Sequence, residues 1–287
     1  MPEFTAMRSE DSYVDAHGVT IHYSIWKAGE PKAVVQLVHG LGEHVLRYEH
    51  LAQKLVAAGY AVYGDDHRGH GRTGMGQYDG DTTRLGKLGP GGMRATVDAI
   101  AQFTSIIRER EPGLPLAGIA QSWGSMMMQV IVNDHPANWD AVVLAGTAYR
   151  TLRHMHSVKL NARHKHLGTT GNEWLSRDVA VHRAFADDPL TFYANAPKLF
   201  GIPDGLRLVG RPAKNLAVDV PVLILIGSED PVGGEKSIEL LAGAYVKRSG
   251  LTDVKAIVYP ESRHEVFNEV NKDEVIADLI EWLDDHI

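Results

Sequence analysis

The sequence predicts an α/β protein, with a mostly parallel central sheet, helices on both faces and a helical segment inserted between core strands. Three observations carry this. Short, nearly continuous apolar runs such as "AVVQLVHG" (33–40) read as strands buried on both faces. These runs alternate with longer stretches of helical character, which implies crossover units. The alternation lapses between about 148 and 218 and then resumes, and a chain of 287 residues is the right length for one large domain with such an insertion.

The elements follow in order. "SYVDAHGVTIHYSIWKAG" alternates polar and apolar residues around a His-Gly turn, predicting an antiparallel hairpin at 12–28. After the strand at 33–40 come a helix near 47–58, the strand "YAVYGDD", a helix near 91–110, the strand "PLAGIAQ", a helix near 123–134 and the strand "AVVLAG". Beyond residue 220 the strand "VPVLILIG", a helix near 233–247, the strand "VKAIVYP" and a helix near 271–285 complete the series. The core is therefore expected at 1–147 and 219–287. The insertion at 148–218, helical or irregular, would sit as a cap over the strand ends where ligands of open α/β sheets bind.

Composition excludes several classes. With 44% apolar and 23% charged residues the chain resembles an ordinary globular protein. A net charge of -7 argues against general attraction to nucleic acid, which rests on phosphate neutralisation by Lys and Arg. The absence of cysteine rules out disulfides, thiolate metal sites and cysteine nucleophiles. "MPEFTAMRSEDSYVDA" has early acidic residues and no apolar run, so the expected location is cytoplasmic. By composition, residues 1–6 read as a vector remnant preceding a native start at Met7.

Ser122, in "GIAQSWGSMM" (118–127), follows a strand run directly and precedes a helical run directly. A strand-to-helix elbow would hold it strained, with its oxygen above the sheet, provided the residues two positions either side are small; here they are Ala120 and Gly124. The competing assignment is a helix N-cap, a favoured place for serine. A nucleophilic serine needs a base and an orienting acid, expected in the chain order Ser, acid, His. Asp230, after the strand 221–227, and His264, in the loop after the last strand, meet that order. Asp230 equally suits a turn before Pro231, Glu229 is a rival acid, and His264 is one of 15 histidines. An oxyanion hole needs two free amides. The residue after the nucleophile, Trp123, offers one, and Leu41, between Gly40 and Gly42 in "VHGLGEH", offers the other.

Taken together, "VHGLGEHVLRYEHLAQKLVAAGY", "DDHRGHGRT", "AQSWGS", "GSEDPV" and "RHEVFNE" resemble the α/β-hydrolases of the monoacylglycerol lipase and lysophospholipase group, the serine aminopeptidase S33 type. The resemblance runs from about residue 12 to the C-terminus, and "WLSRDVAVHRAFADDPL" extends it into the insertion. It implies an α/β-hydrolase fold, Ser122 as nucleophile, Asp230 as acid, His264 as base, Leu41 and Trp123 as oxyanion amides, and no cofactor or metal. It assigns His67, Arg68 and His70, like His39, Glu43 and His44, to holding loops near the crevice. The expected partner is a small-molecule ester with an acyl chain, reached through transient membrane or micelle contact by the cap.

Departures from the family pattern bear on the substrate. The usual elbow is G-H-S-M-G, and Trp123 keeps the amide while adding an indole beside the acyl site. The stretch 149–166 carries Arg150, Arg153, Lys159, Arg163, Lys165 and four histidines with no acidic residue. It is either a solvated helix face or a cationic mouth for anionic monoesters, the latter placing Arg150 and Arg153 at the substrate pocket. Phe185, Phe192, Tyr193, Leu199 and Phe200 offer apolar material for the pocket or anchors for the cap. A serine at 122 argues against hydrolases that carry a carboxylate at the elbow. Carbon-carbon bond hydrolases, lactonases and a non-catalytic binding module stay open as alternatives to an ester hydrolase.

Overall fold

The hairpin that opens the chain turns on Asp15, whose side chain accepts hydrogen bonds from the amides of His17 (2.8 Å) and Val19 (2.9 Å) while Gly18 takes a positive φ. The computed structural model describes residues 7–287; the suggested remnant at 1–6 lies outside the described residues. Strand β1 (Met7–Val14) and β2 (Thr20–Lys27) pair antiparallel, so the hairpin reaches further toward the N-terminus than the alternation at 12–28 indicates. The remaining elements are β3 (Ala33–Val38), α1 (Glu49–Ala57), β4 (Tyr60–Asp65), α2 (Gly71–Gln77), α3 (Gly92–Arg110), β5 (Leu116–Gln121), α4 (Trp123–Asp134) and β6 (Ala141–Ala145). After them come α5 (Val179–Asp187), α6 (Ala196–Leu206), β7 (Val222–Gly227), α7 (Glu235–Ala244), β8 (Val254–Tyr259) and α8 (Lys272–His286).

Helix α2 has no counterpart in the sequence reading, because Gly71, Gly74 and Gly76 in seven residues argue against a helix. Tertiary contacts supply what propensity lacks. Asp66 at the end of β4 accepts from the backbone amide of Arg72 (3.0 Å) and from its guanidinium (2.8 Å), and a side chain at 74 would run into the backbone of Gly69.

Among the described residues eight strands form one sheet, ordered β1-β2-β4-β3-β5-β6-β7-β8. From β4 to β8 all neighbours are parallel, and β2 meets β4 antiparallel. Alternate residues of the parallel strands feed two cores, one on each face. Val222, Ile224 and Ile226 of β7 join Phe103 and Met127 on one side, while Leu223 and Leu225 join Leu55 and Trp282 on the other. The buried Gln36 in the middle of β3 is satisfied by Thr104 Oγ1 (2.8 Å) and Trp139 Nε1 (3.0 Å), which donate to it, and by the carbonyl of Ile100, which accepts from it (3.3 Å).

This order places a topological switch between β3 and β5, since the chain leaves β3 toward β4 and returns to build β5 on the opposite side. Ligands of open α/β sheets bind outside the carboxyl ends of strands at such a point. The segment between β6 and β7 contributes α5 and α6 and no strand. Its two ends are clasped together: Arg150 donates to the carbonyl of Leu208 (2.7 Å) and to Gln129 Oε1 on α4 (3.2 Å), and its own carbonyl accepts the Gly210 amide (2.7 Å).

Candidate active site

Strand β5 ends at Gln121, and the chain turns into α4 within one residue. That residue, Ser122, has φ 53° and ψ -122°, a strained conformation for a side chain other than glycine. Its amide donates to the carbonyl of Ala145 on the neighbouring strand (2.9 Å), which fixes the turn to the sheet. Ser122 stands at the N-cap position of α4, but its hydroxyl bonds no helix amide. The turn is tight enough that a side chain at 124 would collide with the carbonyl oxygens of Val38 and His39, which is why glycine stands there. Ala120 is fully buried among the core residues, and its single methyl is accommodated.

The Ser122 Oγ lies 2.7 Å from His264 Nε2, and His264 Nδ1 lies 3.0 Å from both oxygens of Asp230. Because Nδ1 faces only acceptors it carries the proton, which leaves Nε2 free to accept from the serine hydroxyl. Asp230 is itself oriented by the Val232 amide (2.8 Å). Burial opposes a charge on His264, yet the Asp230 carboxylate, with Glu265 and Glu43 nearby, raises its pKa above the ordinary 6.5. The rival acid Glu229 turns away to pair with Arg163 at 3.1 Å.

The loop after β3 brings Leu41 next to this trio. A side chain at 40 would approach Ser122 Cβ to 3.1 Å and meet the Glu43 carboxylate, so only glycine lets the loop lie this close. The amides of Leu41 and Trp123 are engaged by no acceptor among the described residues. The loop is held from below by Glu43, which accepts from the Gly40 amide (2.6 Å) and from Tyr48 (2.8 Å). Arg47 pairs with Glu43 and, through both arms of its guanidinium at 2.7 Å, with Glu265, the residue after His264. Burial works against ionisation of Glu265, but the bidentate Arg47 outweighs it and holds that carboxyl below 4.5. The cluster therefore ties the Leu41 loop to the His264 loop. Spacing along the chain gives no sign of it, because residues 43, 47 and 265 meet only in three dimensions.

The histidines of the crevice support rather than face it. His39 stacks on His67 (3.9 Å) and accepts from its amide (3.0 Å); His67 donates to Asp65 (2.9 Å). His70 packs against Trp123 at 5.1 Å, and burial drives its pKa down to about 3, so it is neutral. Arg68 is fully buried against Asp15 and the carbonyls of Leu88 and Pro90, and His44 bonds Asp188 at the end of α5 (2.8 Å).

A cavity of about 330 Å³ opens above Ser122. Trp123, Phe192, Tyr193 and Phe200 line it, and the Trp123 indole stacks on Phe200 at 5.4 Å. Phe185 lines it as well, whereas Leu199 does not. Arg150 and Arg153, expected at the pocket, are also absent from its lining, and no lysine or arginine lines it among the described residues. Arg150 is 2% exposed and spends its guanidinium on the clasp; Arg153 and Lys159 are exposed on the outside of the segment. Of the basic stretch, His156 lines the cavity, and the arginines and lysines do not.

A family model described as "Serine aminopeptidase, S33" matches residues 29–271. A monoacylglycerol lipase of Mycolicibacterium smegmatis is 32% identical over 298 aligned positions, covering 99% of each chain. A human monoglyceride lipase is 27% identical, over 90% of this chain and 88% of its own. Among solved structures, a highly thermostable carboxyl esterase from Bacillus coagulans in complex with glycerol superposes with a TM-score of 0.83 at 25% identity, covering 98% of this chain and 99% of that one.

Proposed function

We propose, from the premise that this chain belongs to the serine aminopeptidase S33 family of α/β-hydrolases, that it cleaves monoacylglycerols and similar carboxylic monoesters through acylation of Ser122. It is a carboxylic ester hydrolase. The observation that carries the mechanism is the linear contact from Ser122 Oγ to His264 Nε2 and from His264 Nδ1 to Asp230. In this reading His264 removes the serine proton as Oγ attacks the ester carbonyl, and Asp230 keeps the imidazole in the required tautomer and stabilises it when charged. The amides of Leu41 and Trp123 bind the oxyanion of the tetrahedral intermediate. His264 then protonates the departing alcohol, and water, activated by the same base, releases the acid and restores Ser122.

The substrate class rests on the cavity. Its lining is mainly apolar and aromatic and holds no lysine or arginine among the described residues, which suits an acyl chain. Residues 148–218 are the proposed cap. Leu152, Ile202 and Leu206 line the cavity and are also 74%, 76% and 51% exposed, an apolar rim that suits transient contact with a lipid surface. Arg153, Lys159 and Lys165, exposed on the same segment, favour an anionic one. No helix among the described residues is long and apolar enough to cross a membrane.

The test is covalent labelling with a fluorophosphonate probe beside turnover of a monoacylglycerol. Wild type is expected to be labelled and active, and Ser122→Ala to lose both. Labelling of another serine in the variant, or turnover that survives it, would overturn the assignment.

A further inference from the structure

The backbone of His264 is held by two elements. Its amide donates to the Trp174 carbonyl, in the segment between β6 and β7, at 3.4 Å, and its carbonyl accepts from Gln121 Nε2, at the end of β5, at 2.9 Å. The amide of Glu265 donates to the Leu175 carbonyl of the same segment (2.7 Å). Both amides are thus bonded to the inserted span, whereas the carbonyl is bonded to the strand that leads into Ser122. Among the described residues no other group donates to that carbonyl.

The position is built for this contact. Gln121 is 2% exposed, and its Oε1 is buried without a hydrogen-bond partner among the described residues. Turning the carboxamide over would set Oε1 against the His264 carbonyl, two acceptors face to face, so its orientation follows from the bond it makes. Methionine or leucine would fill the same space without stranding an acceptor, so packing alone does not account for a glutamine here. Gly146, just after β6 with φ 53°, completes the arrangement: a side chain there would run into Gln121 Nε2 and the His264 carbonyl. In the sequence Gln121 stands where the usual elbow carries histidine, a side chain that also has an N–H to donate.

We propose that Gln121 is a positioning residue for the general base: its carboxamide fixes the His264 backbone to the strand that presents the nucleophile, and so sets the contact between His264 Nε2 and Ser122 Oγ. The proposal rests on the reading of Ser122 and His264 given above. Gln121 and Ser122 are consecutive, and the Ser122 amide is itself pinned to the Ala145 carbonyl (2.9 Å), so base and nucleophile share one frame. Without the Gln121 bond, His264 depends on Asp230, on the Arg47 pair of Glu265 and on the inserted segment. Motion of that segment is then passed to the base, and a misplacement of about 1 Å between reacting groups costs on the order of 100-fold in rate.

The experiment measures kcat and KM on one medium-chain monoacylglycerol, and the fluorophosphonate labelling rate, for wild type, Gln121→Met, Gln121→Leu and Gln121→His, with thermal unfolding to show that each variant is folded. Gln121→Met keeps the length of the side chain and loses the donor; Gln121→Leu is a second apolar replacement of different shape. Either is expected to lower kcat and the labelling rate together by about 10- to 100-fold while KM moves by less than about threefold. Gln121→His, which restores a donor, is expected to recover most of the loss. A folded Gln121→Met or Gln121→Leu with wild-type kcat and labelling overturns the proposal, as does a loss carried by KM alone or one that Gln121→His shares in full. Ester turnover that survives Ser122→Ala would instead overturn the underlying mechanism, so the two failures are distinct.

Discussion

Residue by residue, the proposed trio makes quantitative demands. His264 must be neutral to accept the serine proton, and its pKa lies above 6.5, so kcat/KM is expected to climb as pH rises through that value and to fall on the acid side. The Glu265 carboxylate contributes to the upward shift. Glu265→Gln removes that charge and leaves Arg47 partly uncompensated, both of which disfavour a charged imidazole. The acid limb of the pH profile should therefore move to lower pH, and a profile that stays in place or moves up would contradict the electrostatic assignment. For Asp230→Asn, which disturbs the tautomer while keeping the shape, kcat is expected to drop by about 10³ to 10⁴. Ser122, Asp230 and His264 were legible in the sequence because each sits where a strand run meets a turn, and chain order supplied the rest. Arg150 was misread for a physical reason: one basic residue among several in a local window gives no sign that it alone will be buried against distant carbonyls.

At the scale of elements, the strand-to-helix elbow of β5 and α4 depends on the backbone carbonyls of Val38 and His39 passing close beneath Gly124. Gly124→Ala forces that contact apart. The expected result is loss of about 1 to 3 kcal/mol in denaturant unfolding together with a fall in kcat, because the same shift moves Ser122 and the Leu41 loop. The hairpin makes a similar demand at a distance, through the pairing of its turn residue Asp15 with the fully buried Arg68. Asp15→Ala strands that guanidinium in the interior and is expected to cost about 3 to 5 kcal/mol, read from the shift in the unfolding midpoint. The parallel strands and long helices were readable from periodicity to within a residue or three. Helix α2 was not, since its glycines are tolerated only because Asp66, Gly69 and Leu85 crowd around them.

For the whole molecule, a net charge of -7 coexists with exposed basic residues on the segment that also carries the apolar rim of the cavity. Vesicles containing anionic lipid are expected to retain the protein at low salt and release it at high salt, while zwitterionic vesicles retain less; equal retention on both would remove the role assigned to Arg153, Lys159 and Lys165. The Arg150 clasp bears on a different property, the freedom of the chain to vary. It brings the entry and exit of the segment between β6 and β7 together through bonds to Leu208 and Gly210. The entropy of closing such a loop grows only slowly with its length. A different span, longer or shorter, can be joined at the same two anchor points at little entropic cost, provided that it keeps the contacts that fasten the present one to the core, such as Arg177 with Glu269 and the Phe192 amide with the Gly42 carbonyl. Variation in this span is thereby separated from the upkeep of the sheet, and a chimaera that keeps Arg150, Leu208 and Gly210 together with Arg177 and Asp188 is expected to fold with residues of a relative in between.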